Sequence, residues 1–215
     1  MSTTRVVSTP HGDARLVSDR SRHPICTLLL IHGAGGGIDS PDLEALAREL
    51  PRQGISVLRL EQPWKVAGKK IAPAPATLDA ALRAAADVIR VRTPLVIGGR
   101  SAGARSAARS ARSLGASGCL ALSFPLHPPG RPEKSRIGEL DAVGLPTLVI
   151  QGERDTFGRP EEFPAHHDLT VVPEADHGFH VLKRGEVTSE EALAIIVEAT
   201  LEWIVREVVG NRSAR

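Results

Sequence analysis

Short apolar runs alternate with amphipathic segments along most of the chain. The runs are largely aliphatic, which is the pattern of strands buried on both faces. They cover residues 25–31, 55–60, 95–97, 119–124, 145–150 and 169–172. Between them, leucines, isoleucines and alanines recur at i, i+3, i+4 and i+7, which indicates helices with one apolar face. Strands that alternate with helices predict an α/β fold with a mostly parallel central sheet and helices on both faces.

Capping residues predict where several of these helices begin and end. Ser40, which precedes a proline, predicts the start of the first helix, and Gly54 predicts its end. Thr77 is expected to cap the second helix. Thr188 and Glu191 have the spacing of a capping box, which predicts the start of the last helix.

The two ends of the chain differ from this alternating pattern. Residues 5–8 and 14–17 are short strand-like segments on either side of a turn signal at 11–13, so we expect an antiparallel hairpin at a sheet edge. Residues 210–215 are polar and predict a frayed tail.

Composition narrows the possible classes of protein. A chain of 215 residues with 41% hydrophobic and 24% charged residues predicts one globular domain over 1–215, with its core in about 5–208. A net charge of +2 does not favour a nucleic-acid partner. The start of the chain lacks an apolar signal core, and no run approaches membrane-spanning length, so we expect a cytoplasmic protein without a membrane partner. Cys26 and Cys119 are expected to be small buried hydrophobes, and neither a metal nor a cofactor is predicted.

The segment Gly99-x-Ser101-x-Gly103 lies between an apolar run and an alanine-rich helical pattern. A serine in this setting is typical of a nucleophile elbow, a sharp turn that exposes the hydroxyl at the sheet edge. Glycines two residues away on either side allow the strand and the helix to approach closely. We therefore predict Ser101 to be a nucleophile.

A serine hydroxyl needs a base, and the base needs an orienting carboxylate. In this topology the chain order is serine, acid, histidine. Asp155, in the loop after the run 145–150, is the predicted acid, with Glu153 as the alternative. His177 is the predicted base because a permissive glycine follows it, and His180 stays open as the second candidate.

An acyl-transfer site also needs donors for the oxyanion. The backbone N–H groups of Ala102, just after the serine, and Ala34, in the glycine-rich turn after the first buried strand, are the predicted donors. Isoleucine at position 38 breaks both the dinucleotide fingerprint and the Walker pattern, which would otherwise explain this turn. His32 is expected to brace it.

Four arginines near the elbow have two different predicted roles. Arg105, Arg109 and Arg112 fall on one face of the helix after the elbow, and we expect that face to be solvated. Arg100 lies inside the elbow, where it either supports neighbouring loops or meets an anionic substrate.

Five segments together resemble the α/β-hydrolase superfamily. They are His32-Gly33-Ala34-Gly35-Gly36, Gly98-Gly99-Arg100-Ser101-x-Gly103-x-Arg105, Phe124-Pro125-Leu126-His127-Pro128, Gln151-Gly152-x-x-Asp155 and Asp176-His177. The chain is most similar to the small, lidless, dienelactone-hydrolase-like branch, including the testis-expressed and NSL-complex-subunit hydrolase-like domains. This resemblance implies a triad at Ser101, Asp155 and His177. Dienelactone hydrolases themselves use cysteine as the nucleophile.

Two functional hypotheses follow from the residues and the resemblance. The first is a serine hydrolase that cleaves a small-molecule ester or thioester through an acyl-enzyme. The second is a non-catalytic binding or scaffold module on the same fold. The proline-rich loops 61–76 and 125–140 are predicted to form the rim of the site, and the substrate-binding residues and the oligomeric state stay open.

Overall fold

A computed structural model describes residues 2–210. Eight strands within this range form a single sheet. The strands are β1 (Thr3–Thr9), β2 (Gly12–Asp19), β3 (Cys26–Ile31), β4 (Ile55–Glu61), β5 (Leu95–Arg100), β6 (Gly118–Leu122), β7 (Thr147–Gly152) and β8 (Asp168–Val172). Their order in the sheet is β1-β2-β4-β3-β5-β6-β7-β8. Neighbours from β4 to β8 run parallel, whereas β1 pairs with β2, and β2 with β4, in antiparallel fashion. The predicted edge hairpin and parallel sheet are confirmed.

Helices cover both faces of the sheet, as predicted. They are α1 (Pro41–Glu49), α2 (Pro63–Val66), α3 (Pro75–Val88), α4 (Ala102–Ser110), α5 (Ile137–Asp141) and α6 (Ser189–Trp203). Buried residues of α3 and α4 share one core cluster with the sheet, and those of α1 and α6 share the other. Alternate residues of β3 enter opposite clusters, with Leu29 in the first and Leu28 in the second, because successive strand side chains point to opposite faces. Among residues 2–210, no helix has the length and apolar character needed to cross a membrane.

Several predicted boundaries are confirmed and others are wrong. Gly54 follows α1 and a short 3-10 turn in the left-handed conformation, and Thr188 and Glu191 form the expected capping box before α6. Thr77 does not cap a helix, because α3 begins two residues earlier at Pro75. The predicted strand 119–124 ends at Leu122, because Ser123 takes a positive φ of 43° that turns the chain out of the sheet.

The two proline-rich segments contain short helices rather than only loop. The segment 61–76 includes α2 and the first residues of α3, and the segment 125–140 includes a 3-10 turn and most of α5. Proline stands in the first turn of α2 and α3, where its missing N–H has no helical partner to lose. The predicted tail lies outside the described residues from position 211 onward.

Of the three arginines expected on a solvated face, Arg112 is exposed in the 3-10 turn after α4, whereas Arg105 and Arg109 on α4 are partly buried in ion pairs. Arg105 donates two hydrogen bonds to Glu139, at 2.9 and 2.6 Å, and Arg109 makes a matching pair with Asp79, at 2.9 and 2.7 Å. These ion pairs connect α4 to α5 and α3. Helical periodicity placed the arginines on one face correctly, but the carboxylates opposite them come from distant elements.

Both cysteines are free and buried, as predicted. Burial raises the pKa of Cys26 and of Cys119 to about 12. Both thiols therefore stay protonated near neutral pH and act as core side chains.

Candidate active site

Ser101 lies in a strained turn between β5 and α4. Its φ of 53° and ψ of −115° lie outside the common regions for a residue with a side chain. The turn needs glycine on both sides, because a Cβ on Gly103 would lie 2.4 Å from the Ile31 carbonyl oxygen and one on Gly99 would lie 2.6 Å from the Gly103 carbonyl carbon. The strand, turn and helix expected from the Gly-x-Ser-x-Gly spacing are all present.

The structure brings Ser101, His177 and Asp155 together in a line of hydrogen bonds. His177 Nε2 lies 2.9 Å from Ser101 Oγ, and His177 Nδ1 lies 2.7 Å from Asp155 Oδ2. Asp155 is fully buried (0% exposed), whereas the His177 ring is partly exposed. With Asp155 ionised, its oxygen accepts the Nδ1 proton, which leaves Nε2 free to accept the serine proton.

Asp155 is held by two further donors. The Phe157 N–H donates to Oδ1 at 2.8 Å, and Gln151 Nε2 donates to Oδ2 at 2.8 Å. Gln151 is itself fully buried, accepts from the Phe124 N–H at 2.9 Å and donates to the Gly158 carbonyl at 2.8 Å. No role for Gln151 was predicted from the sequence, although an amide at the end of an otherwise apolar buried strand was a usable signal.

Phe157 is a second residue that the sequence analysis missed. Its ring stacks on the His177 imidazole, with a centroid separation of 4.2 Å and an interplanar angle of 29°. This contact covers one face of the ring and limits its rotation, in addition to the hydrogen bond from Asp155.

The two alternative candidates lie away from Ser101. Glu153 is exposed and accepts a hydrogen bond from the Glu174 N–H. His180 is exposed and lies beside Asp176, because the chain turns between His177 and the buried Phe179, which has a positive φ of 57°. Of the two candidate bases, His177 is the one within hydrogen-bond distance of the serine, and of the two candidate acids, Asp155 is the one within hydrogen-bond distance of His177.

Ala34 and Ala102 flank the elbow as the predicted oxyanion donors. Ala34 is exposed in the turn after β3, and Ala102 is the first residue of α4. Within residues 2–210, neither backbone N–H donates a hydrogen bond. The turn packs against the elbow, since a Cβ on Gly33 would lie 3.2 Å from both the Arg100 carbonyl oxygen and Ser101 Cβ.

His32 braces this turn, as the sequence analysis expected. Its Nε2 accepts from the Gln62 N–H at 3.1 Å, so its Nδ1 carries the proton and donates to the Gly33 carbonyl at 2.8 Å. Burial lowers the pKa of His32, which keeps the ring neutral.

Arg100 joins the elbow to two other segments. Its Nη2 donates to the His177 carbonyl at 3.3 Å, and its Nε lies 3.6 Å from Oδ2 of the buried Asp42 at the start of α1. Burial raises the pKa of Asp42, and the nearby guanidinium opposes that rise. Of its two predicted roles, these contacts correspond to support of neighbouring loops.

A parallel sheet with a serine elbow after β5, and no covering domain inserted between the described strands, defines the lidless α/β-hydrolase fold. The family model described as an alpha/beta hydrolase domain matches residues 24–205. The chain belongs to this family.

Solved structures with the same fold include several hydrolases. A lidless α/β serine hydrolase from Xanthomonas campestris is 21% identical, covers 95% of this chain and 94% of its own, and has a TM-score of 0.75. A dienelactone hydrolase from Anabaena variabilis is 19% identical (96% and 98% covered, TM-score 0.72). Est1E from Butyrivibrio proteoclasticus, solved with ferulic acid, is 16% identical (94% and 99% covered, TM-score 0.70). At these identities the likeness shows the lidless, dienelactone-hydrolase-like fold.

Proposed function

We propose that this protein is a serine hydrolase that cleaves a small carboxylic ester or thioester through an acyl-enzyme. The observation that carries the proposal is the line of two hydrogen bonds from Ser101 through His177 to Asp155, at 2.9 and 2.7 Å. The strained elbow supports it as well, because strain in the backbone collects where it serves a function.

In the first half-reaction, Ser101 Oγ attacks the substrate carbonyl carbon while His177 Nε2 takes the hydroxyl proton. The imidazolium that forms is stabilised by ionised Asp155. When the tetrahedral intermediate collapses, His177 gives that proton to the leaving alcohol or thiol, and the acyl group stays on the serine. In the second half-reaction, water attacks the acyl carbon, gives its proton to His177 and releases the acid, and the proton then returns to Ser101.

The negative charge on the intermediate needs donors that are already in place. The unpaired N–H groups of Ala34 and Ala102 fit this role, and the N-terminus of α4 adds a positive dipole at the same point. Removal of one such donor in other serine hydrolases slows the reaction by about 10²–10³-fold.

Small esters and thioesters fit the site better than extended chains. Ala34 and Gly35 are exposed, and the described strands carry no inserted domain that would enclose a long substrate. Structures with a similar fold include an esterase domain from Rhodothermus marinus and the dienelactone hydrolase from Anabaena variabilis, which supports ester bonds as the substrate class.

A fluorophosphonate probe tests the proposal directly, because it reacts only with an activated serine. We expect rapid labelling of the wild type, none of Ser101→Ala, and a loss of at least about 10³-fold in rate for His177→Ala. His180→Ala is the matched control and should label like the wild type. A panel of acyl esters and thioesters then defines the leaving group. A folded wild type that is not labelled would contradict the enzyme and favour a non-catalytic binding module.

A further inference from the structure

Two histidines and an aspartate meet at the end of the sheet opposite the candidate active site. His166 and His167 precede β8, and Asp141 is the last residue of α5, just before β7. The Nε2 atoms of both histidines lie near the same oxygen, Asp141 Oδ1, at 3.1 and 3.0 Å. Ser101 lies at the carboxyl end of β5, so the cluster is distinct from that site.

We propose that Asp141, His166 and His167 bind a divalent transition-metal ion, with zinc as the reference case. Their three ligand atoms all lie within 4.8 Å of one another. In a tetrahedral zinc site with bonds of about 2.0–2.1 Å, neighbouring ligand atoms are about 3.3 Å apart. The two nitrogen–oxygen separations therefore need to open by only a few tenths of an ångström to admit the ion.

The segments that carry these ligands are anchored in the core. Leu140, next to Asp141, and Phe163, which precedes the histidine turn, are both buried in the same cluster. The His167 N–H donates to the Pro164 carbonyl at 3.1 Å, and the His167 side chain is only 7% exposed. The His167 side chain therefore loses little conformational freedom on binding, which favours affinity, whereas the side chains of His166 and Asp141 are exposed to an incoming ion.

The chemistry of the ligands selects the class of metal. Two imidazole nitrogens and one carboxylate suit zinc, cobalt or nickel, whereas calcium and magnesium prefer all-oxygen sites. Three protein ligands leave a fourth position open, and all three residues line a surface cleft of about 660 Å³. Asp168 and Glu207 also line the cleft, and each pairs with Arg206 at 2.7 Å, so they add little free negative charge.

This proposal departs from the expectation of no metal. The aspartate and the histidines are 25 and 26 positions apart, and no ligand motif in the sequence joins them. They become neighbours only because β7 and β8 pair in parallel, with Leu148 opposite Asp168, so that the segments entering both strands reach the same sheet edge.

The test uses the full chain without a histidine tag, after treatment with EDTA. Titration calorimetry with ZnCl2 should give one site per chain, and Co²⁺ should give a visible absorption band from its low-symmetry coordination. Asp141→Asn and His167→Ala should each weaken binding by at least about tenfold, since even outer-shell changes have effects of this size. His180→Ala is the matched control, because His180 also lies near an aspartate, Asp176, at 3.3 Å but has no second histidine.

Binding should weaken between pH 7.5 and pH 5.5, because protonated imidazoles do not bind metal. Circular dichroism of each variant checks that it is folded. If His167→Ala proves unstable, Asp141→Asn still tests the site, because Asp141 is exposed and its substitution should not disturb the core. Absence of binding by the wild type, or equal binding by Asp141→Asn and the wild type, would overturn the proposal. Calcium binding in preference to zinc would overturn it as well.

Discussion

A methyl group added at Gly103 should disable the elbow without touching any of the three aligned side chains. In Gly103→Ala, the new Cβ would lie 2.4 Å from the Ile31 carbonyl oxygen and 2.7 Å from the His32 carbonyl oxygen, whereas real Cβ atoms essentially never come within 3.0 Å of such neighbours. Both clashing atoms belong to backbone, so neither can rotate away. Relief requires α4 to move away from the end of β3.

The magnitude follows from two opposing effects. Overpacking in a well-packed core costs about 1–3 kcal/mol, and the better helix propensity of alanine returns up to about 1 kcal/mol. We therefore expect the free energy of unfolding to fall by up to about 3 kcal/mol, with about 1–2 kcal/mol as the middle of that range. The loss of reactivity should be larger, because a shift of about 1 Å in a reacting group lowers the rate about 10²-fold.

Urea unfolding and the rate of fluorophosphonate labelling measure these two quantities. Gly138→Ala is the matched control, because Gly138 is also helical and a Cβ there would meet no atom within 4 Å. It should label normally and be as stable as the wild type or more stable by up to about 1 kcal/mol. If the two variants have the same urea midpoint and labelling rate, close backbone contact is not what requires glycine at 103.

Three further changes test the support around the site. Gln151→Leu should lower the free energy of unfolding by about 2–4 kcal/mol, because the Phe124 N–H, the Asp155 carboxylate and the Gly158 carbonyl each lose a hydrogen-bond partner. It should also slow labelling of Ser101; urea titration measures the first effect and the fluorophosphonate probe the second. Arg100→Met should destabilise the fold by up to about 3–5 kcal/mol by leaving the Asp42 carboxylate buried and unpaired, and adding Asp42→Asn should recover part of that loss in a double-mutant cycle. The pKa of His32 is lowered in the folded state, so its contribution to stability is complete above the unfolded pKa of about 6.5 and declines as the pH falls below that value. Between pH 7.5 and pH 5, the free energy of unfolding from urea titrations should therefore fall more steeply for the wild type than for His32→Gln, by up to about 1.4 kcal/mol per pH unit.

The alternation of apolar runs with amphipathic segments was enough to predict the parallel sheet and its two helical layers. A parallel sheet then restricts where functional residues lie, because loops that follow the strands meet at one edge. That rule led from Ser101 to the loops holding Asp155 and His177, whose side chains are within hydrogen-bond distance in the structure. Their catalytic roles stay predictions.

What sequence reasoning missed depends on contacts between distant segments. Arg105 was expected to face solvent because periodicity describes one helix at a time and carries no information about Glu139 on α5. The same limit hid Gln151, whose partners come from two separate segments, the turn after β6 and the loop after β7. Thr77 was a different error, since a good capping residue competed with a proline two positions earlier, and the fixed φ of proline suited the first turn.

The two ends of the sheet can be separated experimentally because they depend on different parts of the fold. The candidate active site is built on residues that follow β5, β7 and β8, and the proposed metal site is built on residues that precede β7 and β8. Zinc bound at the second site should raise the thermal midpoint by joining two strand entries, while the probe reactivity of Ser101 should not change. If the folded wild type binds zinc but is not labelled at Ser101, the proposed hydrolase is refuted and the metal site stands. If it is labelled at Ser101 but does not bind zinc, the metal site is refuted and the proposed hydrolase stands. A metal effect on both readouts would instead mean that β7 transmits strain from one end of the sheet to the other.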